Sequence, residues 1–486
     1  MKSYDRLFIG GEWVEPSSSS VIDVVSPTTE ELVGRVPEAQ NADIDRAVAA
    51  AREAFDHGPW PRMSPAARKQ ILHRAAALVE ERLEEFAAAE TLDMGKPITE
   101  SRTKDVPRSA YNLRFFADFA EHAHTETYAK PWEAMLTYTL RTPVGVAACI
   151  SPWNFPLMLA TWKIAPALSY GNTVVLKPAE QSPLTAAMLA QAFADAGVPD
   201  GVFNVVQGFG PGEAGERLTE HPGVDLVTFT GESATGRAVM TKAAQTLKRC
   251  SFELGGKGPA IVMADADLDR AVPGTIDGSF RNQGEVCLAG SRLLVQRGIY
   301  DEFCSRYVAA AQSLVVGDPR DPVTQIGPLV SGEHLAKVLS YIDLGHAEGG
   351  KLLAGGERVT TGDLAAGNYL APTVFADVDN SWRIAQEEIF GPVQVITPFD
   401  EVDEAIALAN DSRYGLAGQI WTTNLDTAHK VAMQVRTGTM WVNCFFVRDL
   451  RAPFGGMKDS GIGREGGLHS EEFFTEAKAV VLKFPS

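Results

Sequence analysis

The pattern of apolar and polar residues changes texture along the chain. Near the N-terminus, Leu7-Phe8-Ile9-Gly10-Gly11-Glu12-Trp13-Val14 alternates in short segments and is followed by serines from Ser17 to Ser20, which predicts a β-hairpin. From Ala42 to about Glu100 the chain is Ala-rich. Ile71, Ala75, Leu78, Val79, Leu83 and Phe86 recur every three or four residues, and Tyr111, Leu113, Phe115 and Phe119 resume after Pro107, so the spacing predicts two or more amphipathic helices. Val144 to Ile150, Thr173 to Lys177, Phe203 to Val206 and Asp225 to Thr230 are then short apolar runs that read as buried strands. Helical segments begin between them at Pro156, Pro183, Glu213 and Ala234, and strand, helix, strand at that spacing predicts βαβ units in a parallel, Rossmann-like sheet. A second alternation from Asp267 to Asp449 predicts another α/β domain. No repeat of fixed period, charged linker or low-complexity tract interrupts the order.

Composition narrows the class. A chain of 486 residues exceeds one ordinary core and implies two or three domains. Lys and Arg number 44 against 62 Asp and Glu, a net charge of −18. That excess of acid argues against nucleic acid or an anionic membrane as partner, because both need a basic face; a small anion needs only a local pair of arginines. Cys149, Cys250, Cys287, Cys304 and Cys444 are scattered, with no CxxC pair and no His/Cys spacing for a metal, so no structural metal and a reducing compartment are expected. The opening residues Met1 to Arg6 lack an apolar signal region, and the expected location is cytoplasmic.

Several stretches carry candidate chemistry. Asn282-Gln283-Gly284-Glu285-Val286-Cys287-Leu288-Ala289-Gly290-Ser291 sets a cysteine among small residues, suggesting a backbone that something approaches closely; by itself it favours an inert, partly buried thiol over a nucleophile. Gly210 to Gly215 matches GxGxxG, but no ribose-binding acid follows the next strand, which favours a plain turn. Lys177-Pro178-Ala179-Glu180 follows a strand, where a carboxylate accepts from ribose hydroxyls and repels a 2′-phosphate, favouring NAD over NADP. Gly231-Glu-Ser-Ala-Thr-Gly236 opens a helix whose amides can face a pyrophosphate. Each of these two is equally a capped strand-to-helix loop. Glu253, between an apolar pair and glycines, is either a buried general base or a solvated acid, and Asn154, between two prolines and two aromatics, is either an oxyanion donor or a helix cap.

Taken in order, PWNFP at 152–156, KPAE at 177–180, FTG at 229–231, ELGGK at 253–257, GxxC at 284–287 and EEIFGP at 387–392 resemble the motifs of the aldehyde dehydrogenase superfamily, and the likeness runs through the whole chain. The resemblance implies an α/β fold with a Rossmann-like parallel-sheet cofactor domain, an α/β catalytic domain and a small β oligomerisation extension. It places the cofactor domain at 1–121 and 142–252, the catalytic domain at 253–455 and the extension at 122–141 and 471–486. It implies Cys287 as nucleophile, Asn154 as oxyanion donor and Glu253 as base. NAD would be held by Trp153, Lys177, Glu180, Gly231, Ser233, Gly236, Glu388 and Phe390. One departure is Glu232, where the family often has Ser; Ser233 follows it, and an acid beside a diphosphate must point away.

Within the superfamily, Asp105-Val-Pro-Arg108 and the tail from Trp441 to Gly466 look most like the 2-hydroxymuconic and 2-aminomuconic semialdehyde dehydrogenases. By that resemblance Arg108 and Arg448 clamp a substrate carboxylate, with Arg451 the near alternative. Ion pairs of these arginines with Asp105 or Asp449 are the competing structural reading. The implied partners are a small aldehyde and further copies of the chain in a homo-oligomer, a dimer of dimers, with no nucleic acid and no membrane. Alternatives are a general aliphatic or betaine-type aldehyde dehydrogenase, a thiol hydrolase without redox chemistry, and a non-catalytic NAD-binding protein.

Overall fold

The computed structural model describes residues 2–485. Its first sheet has eight strands in the order Gly461–Ile462, Arg249–Glu253, Leu226–Thr230, Val146–Ile150, Thr173–Lys177, Phe203–Val205, Leu7–Ile9 and Glu12–Val14. The strands from Arg249–Glu253 to Phe203–Val205 are parallel. Their side chains alternate between two cores. Val146, Ala148 and Ile150 pack with Ile44, Ala47 and Val48 of the helix Asn41–Asp56. Ala147 and Cys149 pack on the other face with Leu72 and Phe116, from the helices Pro65–Glu81 and Val106–Glu121. Helices on both faces are why these strands are continuous apolar runs instead of alternating ones. The four helical starts expected in this region lie within one residue of the observed ones.

The N-terminal hairpin forms, but its turn is not the serine run. Leu7–Ile9 pairs with Glu12–Val14 across Gly10 and Gly11, whose φ of 69° and 88° suits the tight turn that a twisted hairpin needs. The serines instead lead to a second antiparallel pair, Val21–Val25 with Leu32–Pro37.

The second sheet runs Lys351–Ala354, Thr373–Ala376, Val393–Phe399, Arg292–Gln296, Pro259–Val262, Ala417–Trp421 and Thr439–Val442, parallel except at the first strand. A third, antiparallel sheet joins Thr475–Lys483, Met135–Pro143 and Thr127–Lys130, with nine consecutive pairs between the first two. Most of its residues face solvent, and among the described residues the outer edge of Thr475–Lys483 has no strand partner. The tail also returns to the first sheet, where Gly461–Ile462 pairs antiparallel with the end of Arg249–Glu253. Among the described residues no helix is long and apolar enough to cross a membrane.

Candidate active site

In the first sheet the strand order reverses between Val146–Ile150 and Leu226–Thr230, and loops leaving the carboxyl ends of strands at such a reversal form a crevice. The candidates sit on those ends. Ile150 leads to Trp153 and Asn154, Lys177 to Glu180, Thr230 to Gly231, and Arg249–Glu253 ends on Glu253 itself. One cleft brings together Trp153, Asn154, Gly231, Cys287, Glu388 and Phe390, joining the two parallel sheets.

The approach to Cys287 is strained. Asn282, Gln283 and Gly284 take φ of 50°, 58° and 74°, three left-handed residues in succession, each non-glycine one costing about 1–3 kcal/mol. A Cβ on Gly284 would stand 2.3 Å from the carbonyl oxygen of Gly391, so what approaches the backbone there is the chain itself. The strain is held by reciprocal amides: Asn282 Nδ2 donates to the Asn154 carbonyl at 3.0 Å, and Asn154 Nδ2 donates to the Glu285 carbonyl at 2.9 Å. One amide hydrogen of Asn154 is thereby used to lock it beside the Cys287 loop, and the other can serve a developing oxyanion. The thiol is pushed up to about 12 by burial first, then by the charges of Glu388 and Glu253, with Arg448 acting against them. At neutral pH it rests protonated and needs a base to become a nucleophile.

Two carboxylates flank it in different states. Glu253 is buried, and neither of its oxygens finds a hydrogen-bond partner among the described residues. Burial and then the neighbouring Glu465 raise its pKa well above the usual carboxylate range, while Lys163, Arg448 and Arg464 oppose them. Lys163 does not pair with it directly: its amine donates to Thr228 Oγ1 at 2.9 Å and to Glu465 Oε1 at 3.2 Å. Glu388 is instead anchored, accepting from the Gly256 N–H at 2.8 Å, and burial pushes it up to about 7. A Cβ at Gly255 would stand 2.0 Å from its Oε2, so the Gly255-Gly256 pair is what admits this carboxylate.

The remaining cofactor candidates line up at the strand ends. Lys177 Nζ lies 3.7 Å from Glu180 Oε2 and donates to the Pro178 carbonyl at 3.0 Å. Gly231 and Gly236 are packing glycines, because a Cβ would meet the Phe229 ring at 2.4 Å and Leu254 Cδ2 at 2.7 Å. The hydroxyl of Ser233 donates to the Asp459 carbonyl at 3.0 Å, which leaves the backbone amides at the start of the helix Ser233–Ala243 as donors for an anion. Glu232 is exposed at that start. Trp153 meets Phe390 edge-on at 5.2 Å, and Phe390 holds φ 63° with its carbonyl 2.7 Å from His334 Nε2.

The three arginines part company. Arg451 is exposed and pairs with Asp449 at 2.5 Å. Asp105, the other proposed ion-pair partner, is taken by Lys96 in a buried pair. Arg448 is half-buried, its guanidinium 3.6 Å from the Phe454 ring centre and 4.6 Å from that of Trp162, and its Nη2 is shut off from solvent with no hydrogen-bond partner among the described residues. Burial, and then the charge of Arg108, pull it down to about 10. Arg108 donates to Asn112 Oδ1 at 3.0 Å and, among the described residues, forms no ion pair. Two half-buried cations that repel each other and form no ion pair among the described residues, with Glu253 and Glu465 the acids whose charge reaches Arg448, can take up a carboxylate.

Sequence reasoning missed the strand Arg249–Glu253, the Lys163–Glu465 pair behind Glu253, and His334 and Lys337, which reach the cleft from the helix Gly332–Ala347. A lone histidine and lysine on an ordinary amphipathic helix carry no local signal, and only packing brings them in.

Comparison with known proteins agrees with this geometry. The sequence model of the Aldehyde dehydrogenase family matches residues 13–480. The chain is 48% identical to a 2-hydroxymuconic semialdehyde dehydrogenase of Pseudomonas sp. (strain CF600), over 98% of this chain and 99% of that protein. It is 47% identical to a 2-aminomuconic semialdehyde dehydrogenase of Danio rerio, over 98% and 97%. A solved P. syringae AldA indole-3-acetaldehyde dehydrogenase, in complex with NAD+ and IAA, superposes with a TM-score of 0.97 at 45% identity, covering 100% of this chain and 97% of that one. The chain belongs to the aldehyde dehydrogenase family.

Proposed function

On the premise of that membership, we propose that the protein oxidises a carboxylated semialdehyde of the 2-hydroxymuconic or 2-aminomuconic type to the dicarboxylic acid, with NAD as acceptor. The observation that carries the substrate class is the half-buried Arg448 near Cys287, whose Nη2 has no hydrogen-bond partner among the described residues and which feels the charge of Arg108. The residues fit the cofactor: Glu180 accepts from ribose hydroxyls and repels a 2′-phosphate, and the helix Ser233–Ala243 offers its first amides to a pyrophosphate. Bound NAD would supply the hydride acceptor, with Glu388 the residue to hold its nicotinamide ribose and Phe390 the residue to position its nicotinamide ring.

Cys287 adds through sulfur to the aldehyde carbonyl, and its resting proton passes to a base as the C–S bond forms. The Asn154 amide and the Cys287 N–H hold the oxyanion of the thiohemiacetal, and its collapse to a thioester expels the C–H hydrogen as hydride to the acceptor that NAD would supply. Glu253, unpaired and with a high proton affinity, takes the proton of the water that splits the thioester and frees the acid. Arg108 and Arg448 grip the distal carboxylate throughout.

The domain boundaries stated from the sequence belong to this proposal, as does a cytoplasmic location. So does a homo-oligomer, a dimer of dimers, supported by the unpartnered edge of Thr475–Lys483 and the exposed apolar Trp132, Tyr128, Val481 and Phe484 around that sheet. Light scattering at micromolar concentration tests the assembly, and a monomer overturns it.

NADH formation against hydroxymuconic, aminomuconic, succinic and betaine aldehydes tests the chemistry. The muconic semialdehydes are expected to give the highest kcat/KM, and Arg108→Ala to raise KM for carboxylated semialdehydes far more than for a neutral aldehyde. Equal effects on both overturn the substrate class. Activated-ester hydrolysis with no NADH from any aldehyde overturns the dehydrogenase.

A further inference from the structure

Lys257 ends the stretch Glu253-Leu254-Gly255-Gly256-Lys257, and nothing in the chemistry above uses it. It is 2% exposed, and its Nζ has no hydrogen-bond partner among the described residues. The charged groups that face it are Arg292 from the strand Arg292–Gln296, and Glu388 and Glu387 from the loop after the helix Arg383–Gln386. Arg292 is no partner for the amine, because its guanidinium already donates to Lys257 O, Asn380 Oδ1, Leu408 O and Ala409 O. Burial and Arg292 together pull Lys257 down to about 7.

The side chain borders a narrow cavity of about 10 Å³, shared with Ser279, Gly284, Ser291, Glu388 and Phe390. One wall is the Cys287 loop and the other is the loop that carries Glu388. Its size and polar lining suit a single water, which needs two to four polar partners. A buried amine without a partner lowers the stability of the fold, so its presence at this place calls for another use.

We propose that Lys257 is a positioning residue that orients the Glu388 carboxylate through one water held in this cavity, and thereby sets how tightly the cleft holds a nucleotide ribose. The inference rests on the assignment of Glu388 to the nicotinamide ribose made above. The amine offers the water a hydrogen-bond partner, the water contacts the carboxylate oxygen turned away from Gly256, and the Gly256 N–H holds the other.

The test is calorimetric titration of NAD into Lys257→Met, Lys257→Gln and Glu388→Gln, with steady-state kinetics and thermal melts on the same preparations. For Lys257→Met, NAD affinity is expected to fall about tenfold and KM for NAD to rise in step, with a smaller change in kcat and a Tm equal to or above the parent's. Lys257→Gln, which keeps a hydrogen bond for the water, is expected to recover most of the affinity. Adding Lys257→Met to Glu388→Gln is expected to cause no further loss, since both act through one carboxylate. Unchanged NAD affinity in Lys257→Met, a Tm that falls with it, or a variant that does not fold overturns the proposal, as does full additivity with Glu388→Gln. The underlying assignment fails separately: Glu388→Gln would then bind NAD as the parent does, whereas loss in Glu388→Gln without loss in Lys257→Met rejects Lys257 alone.

Discussion

Two arginines, one fully buried and one half-buried, divide the molecule into what is built and what is held ready. Arg292, in the second sheet, has its guanidinium closed by four acceptors at 2.8–3.0 Å. Arg448, near Cys287, lies on the rings of Phe454 and Trp162, and its Nη2 has no hydrogen-bond partner among the described residues. Burial pulls both down to about 10, so desolvation alone does not separate them. Satisfaction does. A cation with each guanidinium nitrogen hydrogen-bonded ties strands and helices together, whereas one with a nitrogen left open keeps hydrogen-bonding capacity for a ligand. Other pairs repeat the contrast: Lys163 is bonded to Thr228 and Glu465 while Lys257 is open, and Glu388 is anchored to Gly256 while Glu253 is open.

The largest expected effect tests the open carboxylate. Glu253→Gln should lower kcat by about 10²–10⁴-fold, the range for losing a general base. A base works only when unprotonated, so with its pKa raised the parent's rate should fall as pH drops below that value. The variant should lose this dependence; a pH–rate profile shared by both would place the base elsewhere.

Arg448→Met should lower kcat/KM for a carboxylated semialdehyde by about 10–100-fold, as expected for charge-assisted hydrogen bonds, while leaving Tm unchanged or higher. Arg292→Met should do the reverse and cost about 3 kcal/mol or more of stability, because it strands buried acceptors. Calorimetry that found the two variants equally destabilised would break the comparison.

The smallest effect concerns Glu90, which is fully buried, with Oε1 accepting from the Leu157 N–H at 3.0 Å and Oε2 open. Burial, resisted by Lys96, pushes it up to about 7 from an ordinary 4.5. Between those values the folded state holds a proton that the unfolded state has lost, so this group's contribution to stability falls as pH rises from 4.5 to about 7 and then levels off. Glu90→Gln should therefore be more stable than the parent at pH 8, with the gain shrinking to nothing near pH 4, read from denaturant melts.

Much of the fold was legible because its signals are local. Apolar runs such as Val146–Ile150 and Thr173–Lys177 are strands because both faces of the sheet are covered, and prolines and acids mark the helix starts within a residue. The strand Arg249–Glu253 was not legible: Arg249, Cys250 and Ser251 break the apolar run, and it is ordered by pairing with Leu226–Thr230 and the tail strand. The cysteine stretch was ambiguous for a related reason. Its glycines signal a close approach without saying of what, and at Gly284 the answer is the Gly391 carbonyl.

By itself, then, the sequence determined the first parallel sheet, a second α/β domain, the order of the motifs and the residue types able to do thiol, oxyanion and base chemistry, because these depend on periodicity and on chemistry carried by each side chain alone. Which polar groups stay open was decided only by the tertiary structure. Arg448 and Arg451 stand three residues apart with the same guanidinium, yet one lies half-buried against aromatic rings and the other meets Asp449 in solvent. Partner and burial arise from contacts between distant segments, and no local pattern of residues encodes them.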